Sequence, residues 1–200
     1  DDAFVGVVRR LYETHGRVIV CGLGKSGHVA GKLAATLMAT GTPACFLHAG
    51  EAVHGDLGMI QRGDTLMILS NSGDTREFGV ILRRAQSLDV PVVAITSNNG
   101  SAVARAAALR LILPAVAEAC PFGSSPSTST TLMMALGDAI TFAIMHLRGT
   151  TSADLLALHP GGRLGLDLLT VDGFMHRGEA LPLALETERM EAVLDLICAK

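Results

Sequence analysis

Val18-Ile-Val-Cys-Gly-Leu-Gly-Lys-Ser-Gly27 runs from an apolar strand into a glycine turn that carries a single lysine. Two nucleotide signatures overlap in it. Gly22, Gly24 and Gly27 satisfy the dinucleotide pattern G-x-G-x-x-G, and Gly24-Lys25-Ser26 matches the tail of the G-x-x-x-x-G-K-S phosphate loop. Neither match is complete. The phosphate loop requires a glycine where Ile19 stands in mid-strand, and a dinucleotide site requires an acidic residue closing the second strand, where His48 stands. The loop therefore suits an anionic ligand other than a nucleotide, and a dinucleotide oxidoreductase is disfavoured.

Outward from this stretch, short β-branched and apolar runs alternate with helical patterns. Residues 17–21, 44–47, 65–69, 92–96 and 109–113 read as strands, and 31–40, 74–88 and 102–108 as helices. Strand and helix alternating in this way predict an α/β fold: a five-stranded parallel sheet flanked by helices on both faces. Ligands in such folds sit at the carboxyl ends of the strands. The segments after the strands are polar: Gly22-Leu-Gly-Lys-Ser-Gly27, His48-Ala-Gly-Glu-Ala-Val-His-Gly-Asp56, Ser70-Asn-Ser-Gly-Asp-Thr75, Ser97-Asn-Asn-Gly100, and then Glu118 with the hydroxyl-rich run 124–131. These segments are expected to converge on one edge. Residues 128–147 read as a long, mostly apolar helix, buried or packed against a partner chain. After it come a short helix within 151–169 and the turn His159-Pro-Gly-Gly-Arg-Leu-Gly165, then a connector from Val171 into a helical stretch at 189–199.

The bulk properties narrow the field. With 200 residues, 49% hydrophobic and 18% charged, the chain can bury roughly 70% of its unfolded surface. A net charge of -3 with no basic run gives no field for wrapping nucleic acid, so a small anion captured locally is the expected partner. Cys21, Cys45, Cys120 and Cys198 form no C-x-x-C pair and read as buried thiols in a reducing compartment. No run reaches the ~18 uninterrupted apolar residues of a membrane span, and the start lacks a signal-like core, so a cytoplasmic protein is expected. The sequence begins at Asp1 without methionine and stops at Lys200 inside a helical pattern, so both ends are expected to continue into a longer protein.

Several residue types in these loops carry chemistry. The hydroxyls of Ser70, Ser72 and Thr75, with the N–H groups of the next helix, can surround a phosphate without adding charge. The alternative is that Ser72, Asp74 or Thr75 caps a helix beginning near Thr75. A second hydroxyl cluster at 124–131, including Ser127 and Thr128, also precedes a helix, and two such clusters favour phosphate. Lys25, between glycines with Gly24 and Ser26 beside it, can reach a phosphate or a sugar oxygen. Glu77 is expected in a first helical turn, where a carboxylate also suits the macrodipole. Glu118, in the largely apolar Ala117-Glu-Ala-Cys-Pro-Phe122, is expected to be paired or raised in pKa, as a catalytic base often is. His159 precedes proline and is presented from a turn as a proton carrier. His48, Glu51, His54 and Asp56 are ligand types that zinc accepts, but their spacing matches no strong signature. No metal or cofactor is therefore expected, with His48 and His54 left as a candidate inhibitory site. No G-x-S-x-G elbow supports a hydrolase.

Gly-Leu-Gly-Lys-Ser-Gly, His-Ala-Gly-Glu-Ala-Val-His-Gly-Asp-Leu-Gly-Met, Ser-Asn-Ser-Gly-Asp-Thr and His-Pro-Gly-Gly-Arg-Leu-Gly, in this order, closely resemble the sugar isomerase (SIS) domain. Their spacing is similar to that of bacterial arabinose-5-phosphate isomerases. The resemblance covers about residues 1–170 and implies a flavodoxin-like or Rossmann-like three-layer sandwich. Residues 171–200 resemble a linker and the opening helix of paired cystathionine-β-synthase-type domains. The resemblance further implies reversible conversion of D-arabinose 5-phosphate and D-ribulose 5-phosphate through a cis-enediol, supplying Kdo for lipopolysaccharide or capsule. The family's active-site positions fall on Lys25, Glu77, Glu118 and His159. Glu118 is favoured as the C1/C2 base, His159 for ring opening and Lys25 for stabilising charge on oxygen, with Glu118 and His159 exchangeable. A homotetramer with sites completed across subunits is also implied. Asp74 departs from the glutamate common in the family. The alternatives are a non-catalytic sugar-phosphate sensor, which would need neither Glu118 nor His159, and an isomerase of another phosphosugar.

Overall fold

The computed structural model describes residues 2–161 and 170–199. They pack as two compact units, Asp1–Leu158 and His159–Lys200.

The first unit holds five strands, β1 (Val18–Gly22), β2 (Ala44–His48), β3 (Thr65–Leu69), β4 (Val92–Thr96) and β5 (Leu109–Ile112), all parallel in the order β2-β1-β3-β4-β5. β1, β3 and β4 are buried along their whole length, which is why they read as unbroken apolar runs. The pleat sends alternate side chains to two separate cores. Val18, Val20, Met67, Leu69, Val93 and Ile95 pack under α1 (Asp2–Tyr12), α2 (Gly24–Ala39) and α6 (Thr128–Arg148). Ile19, Cys21, Leu66, Ile68, Val92 and Ala94 pack under α3 (Ala49–Ala52), α4 (Phe78–Ser87) and α5 (Ala102–Ala106). This is the expected α/β sandwich of three layers. α7 (Ser152–Leu158) ends the unit.

Several expectations need correction. α2 begins at Gly24, seven residues before the helix read from sequence at 31–40, because the strand passes straight into the helix with almost no loop. A Cβ on Gly22 would stand 2.8 Å from the Ser26 carbonyl oxygen, so only glycine admits that tight join. α4 starts at Phe78, not near Thr75, which leaves residues 70–77 as connection. Of the four thiols only Cys21 is buried, and burial pushes it up to about 12. Cys45 and Cys120 are half-buried and Cys198 is exposed, because the last two lie in a connection and on a short peripheral helix. N–H groups of Ser125, Phe122 and Ser124 lower the Cys120 thiol to about 7.

α6 is, by length and composition alone, long enough and apolar enough to cross a membrane, although its apolar run is interrupted. In the fold it is a layer helix. Gly137 lets it approach Leu33 of α2, Asp138 pairs with Lys32, and Met133, Ile140 and Ile144 face the core. Its other side, with neighbouring α1 and α2, leaves Val5, Met38, Met134, Phe142 and Leu147 exposed. That is a sizeable apolar surface on one layer.

The second unit contains α8 (Val171–Phe174), a 3₁₀ turn at Gly178–Ala180 and α9 (Met190–Cys198), with Arg177 paired to Asp172. None of its described side chains is buried, as expected of so short a segment. Of the turn at 159–165, residues 162–165 lie outside the described residues.

Candidate active site

The strand order reverses between β1 and β3, so a crevice opens where their carboxyl ends diverge. From β1 the chain enters α2 directly, and Lys25 and Ser26 therefore stand on the first turn of a 16-residue helix. The preceding residue, Leu23, offers no side-chain cap. The first-turn N–H groups thus remain open at the positive end of the helix dipole. From β3 the chain enters the 70–75 loop. Ser70 is buried and its Oγ accepts a hydrogen bond from the Gly73 N–H at 3.0 Å, closing the turn.

Between these two connections lies a cleft of about 370 Å³, lined by Leu23, Gly24, Lys25, Ser26, Ser70, Asn71, Ser72, Thr75, Pro126 and Ser129. None of these is acidic. The side chains of Lys25, Ser26, Ser72 and Thr75 make no hydrogen bond or ion pair among the described residues. An ammonium, three hydroxyls and an open helix terminus facing one cavity form a site for a compact anion, and phosphate matches it. The structure thus brings together Lys25, Gly24, Ser26, Ser70, Ser72 and Thr75. It adds Asn71 and Ser129, which lie inside the recognised motifs but carry no distinguishing signal of their own, together with Leu23 and Pro126.

The second hydroxyl cluster is differently engaged. Glu118 Oε2 accepts from the Ser127 N–H at 2.7 Å, the Ser127 hydroxyl at 3.1 Å and the Ser129 N–H at 3.3 Å, while Oε1 accepts from the Ser129 hydroxyl. Glu118 therefore caps α6. The Ser129 and Ser127 donors hold its carboxyl down at about 2, the reverse of the raised value expected from its apolar neighbours. That expectation missed partners lying nine to eleven residues along the chain. Ser127 Oγ also accepts from the Ala119 N–H at 2.9 Å, so Ser127 faces this internal carboxylate, and neither it nor Thr128 lines the cleft. Glu118 touches the cleft's wall through Ser129.

Glu77 is half-buried at the N-cap position of α4, makes no capping bond and does not line the cleft. Asp74, considered as a cap for that helix, instead accepts from the Ala102 N–H at the start of α5. His159 is half-buried and belongs to the second compact unit. His48 Nδ1 stands 3.9 Å from Glu51 Oε1, and among the described residues no group of three or more His, Cys, Asp or Glu could hold a metal ion.

A family model of the SIS domain matches residues 10–143. The chain belongs to the SIS-domain family. This SIS-domain chain is similar to Arabinose 5-phosphate isomerase KdsD of Pseudomonas aeruginosa, 45% identical over 185 residues, covering 92% of this chain and 57% of that protein. It is likewise similar to KdsD of Escherichia coli K12, 41% identical over 192 residues, covering 96% of this chain and 58% of that one. The chain therefore spans little more than half the length of these curated relatives. Among solved structures, E. coli CFT073 c3406 in complex with a phosphosugar superposes on the SIS domain with a TM-score of 0.77 at 38% identity, covering 80% of this chain and 85% of that one.

Proposed function

We propose that this chain is a phosphosugar isomerase that interconverts D-arabinose 5-phosphate and D-ribulose 5-phosphate. The observation that carries the reading is the cleft free of acidic residues at the β1/β3 crevice, with its unengaged ammonium and hydroxyls, in a chain similar to proteins named for that reaction. The 5-phosphate would lie against the α2 terminus and the 70–75 loop. Once the ring is opened, for which His159 is the candidate, a base removes the proton from C2 of the aldose while O1 gains one. The resulting cis-enediol receives a proton at C1 as O2 loses one, giving the ketose. Lys25 stabilises the negative charge developing on oxygen. Glu118 is the proposed base, with Glu77 as the other acid–base candidate, and no cofactor is required. A carboxylate held at about 2 is a weak proton acceptor, so substrate has to release Glu118 from part of its serine cage.

That caged state is also the observation favouring a second reading, a non-catalytic sugar-phosphate sensor. Incubation with arabinose 5-phosphate in D₂O separates the two. The isomerase washes deuterium into C2 of the aldose or C1 of the ketose, and Glu118→Gln lowers the exchange rate by roughly 10²–10⁴-fold while sparing phosphate binding. Phosphate-dependent stabilisation with no exchange would instead identify a sensor. Exchange seen only with another sugar phosphate would reassign the substrate.

On the resemblance we also propose a cytoplasmic homotetramer feeding Kdo synthesis for lipopolysaccharide or capsule. The exposed apolar side of α1, α2 and α6 supports self-association. Residues 1–170 are proposed as the isomerase domain and 171–200 as a linker and the opening of a cystathionine-β-synthase-type domain.

A further inference from the structure

The 70–75 loop has two sides. Toward the cleft it offers Ser70, Ser72 and Thr75. On the far side its polar atoms are held by the connection between β4 and α5. The Asn71 carbonyl accepts from Thr96 Oγ1 at 3.1 Å, the Ser97 N–H at 3.2 Å and Ser97 Oγ at 2.8 Å. The Gly73 carbonyl accepts from the Val103 N–H at 3.1 Å. Gly73 itself has φ +69°, and a Cβ there would stand 2.2 Å from Ser101 Oγ and 3.1 Å from Thr96 Oγ1, both on fully buried residues. The loop is thus pressed against this connection with no room to shift.

Asp74 runs against the charge logic of a phosphate loop, because a carboxylate beside a phosphate is repelled. Both of its oxygens are nevertheless bonded to the β4–α5 connection. Oδ1 accepts from the Ala102 N–H at 2.7 Å and Oδ2 from Asn98 Nδ2 at 3.2 Å. Asp74 therefore ties the middle of the loop to the start of α5, between the two hydroxyls that remain unengaged, Ser72 and Thr75.

We propose that Asp74 is a positioning residue of the phosphate site: its bonds to Ala102 and Asn98 fix the spacing of the Ser72 and Thr75 hydroxyls. This rests on the phosphate-binding reading above and accounts for a negative residue inside an anion-binding loop. Asp74→Ala removes both bonds, whereas Asp74→Asn keeps an acceptor for Ala102. Both remove the same charge, so relief of repulsion would tighten anion binding equally in the two variants.

The test measures the Kd for inorganic phosphate, the KM and kcat for arabinose 5-phosphate, and thermal stability in the full chain and both variants. Asp74→Ala should raise the phosphate Kd and the sugar-phosphate KM about tenfold with kcat within about twofold, as expected for a lost charge-assisted hydrogen bond that acts on binding. Asp74→Asn should stay within about threefold of wild type, since its main hydrogen bond persists. The proposal is overturned if Asp74→Ala binds phosphate as tightly as wild type or tighter, if the two variants behave alike, or if kcat falls in step with stability. Wild type that binds phosphate but does not turn over arabinose 5-phosphate overturns the isomerase reading, and the phosphate Kd comparison still decides Asp74. Wild type that binds no phosphate overturns both.

Discussion

Two connections in this molecule have nearly the same composition and opposite occupancy. The 70–75 loop and the 124–131 run are both rich in serine and threonine, both lead from a strand end toward a helix, and both read as phosphate ligands. In the first, the backbone is anchored from behind and the Ser72 and Thr75 hydroxyls face the cleft without a partner among the described residues. In the second, Ser127 and Ser129 turn their N–H groups and hydroxyls onto Glu118. The difference teaches that hydroxyls near a helix start bind an outside anion only if the chain supplies no anion of its own. A carboxylate already in place is an intramolecular competitor that no dilution removes.

Substitutions can break or sharpen this contrast. The largest expected effect is on the open loop. A hydrogen bond to a charged group is worth about 1.5–3 kcal/mol, so Ser72→Ala or Thr75→Val should raise the KM for arabinose 5-phosphate roughly 10- to 100-fold. In the closed cluster, Ser127→Ala should leave the inorganic phosphate Kd within about twofold, because its hydroxyl serves Glu118. Equal losses from both clusters, read by calorimetric titration, would erase the distinction.

A smaller effect concerns pH. Glu118 sits at about 2 in the folded chain against an ordinary 4.5. A depressed carboxylate adds stability above the unfolded value and loses it as pH falls through the folded one. The excess in Tm of wild type over Glu118→Gln should therefore be full at pH 7, shrink below about pH 4.5 and vanish near pH 2. Ser127→Ala should show a smaller pH-dependent excess over the same range. A Tm gap independent of pH would mean that the serines do not hold an ionised Glu118.

The sheet is legible because its signals are local. β3 and β4 have the bounds read from sequence, since strands buried on both faces are continuous β-branched and apolar runs. α1 is absent from the sequence reading although Phe4, Val7, Val8 and Leu11 repeat at helical spacing. The start of α2 is obscured by Gly24 and Gly27, poor helix formers that propensity assigns to a loop and that close packing on β1 holds in the helix. In the candidate site, the Lys25 loop and the hydroxyls of the 70–75 motif lie where the strand-end rule puts them. What escapes is direction: which hydroxyls face the cleft and which face Glu118 depends on contacts between segments that share no periodicity.

The most direct test of the central claim is a crystal structure of the chain with arabinose 5-phosphate bound. The expected result has the phosphate oxygens within hydrogen-bond reach of the Ser72 and Thr75 hydroxyls and the first-turn N–H groups of α2, with Ser127 still on Glu118. A phosphate seated instead on Ser127 and Thr128, with Glu118 displaced from the start of α6, would contradict it.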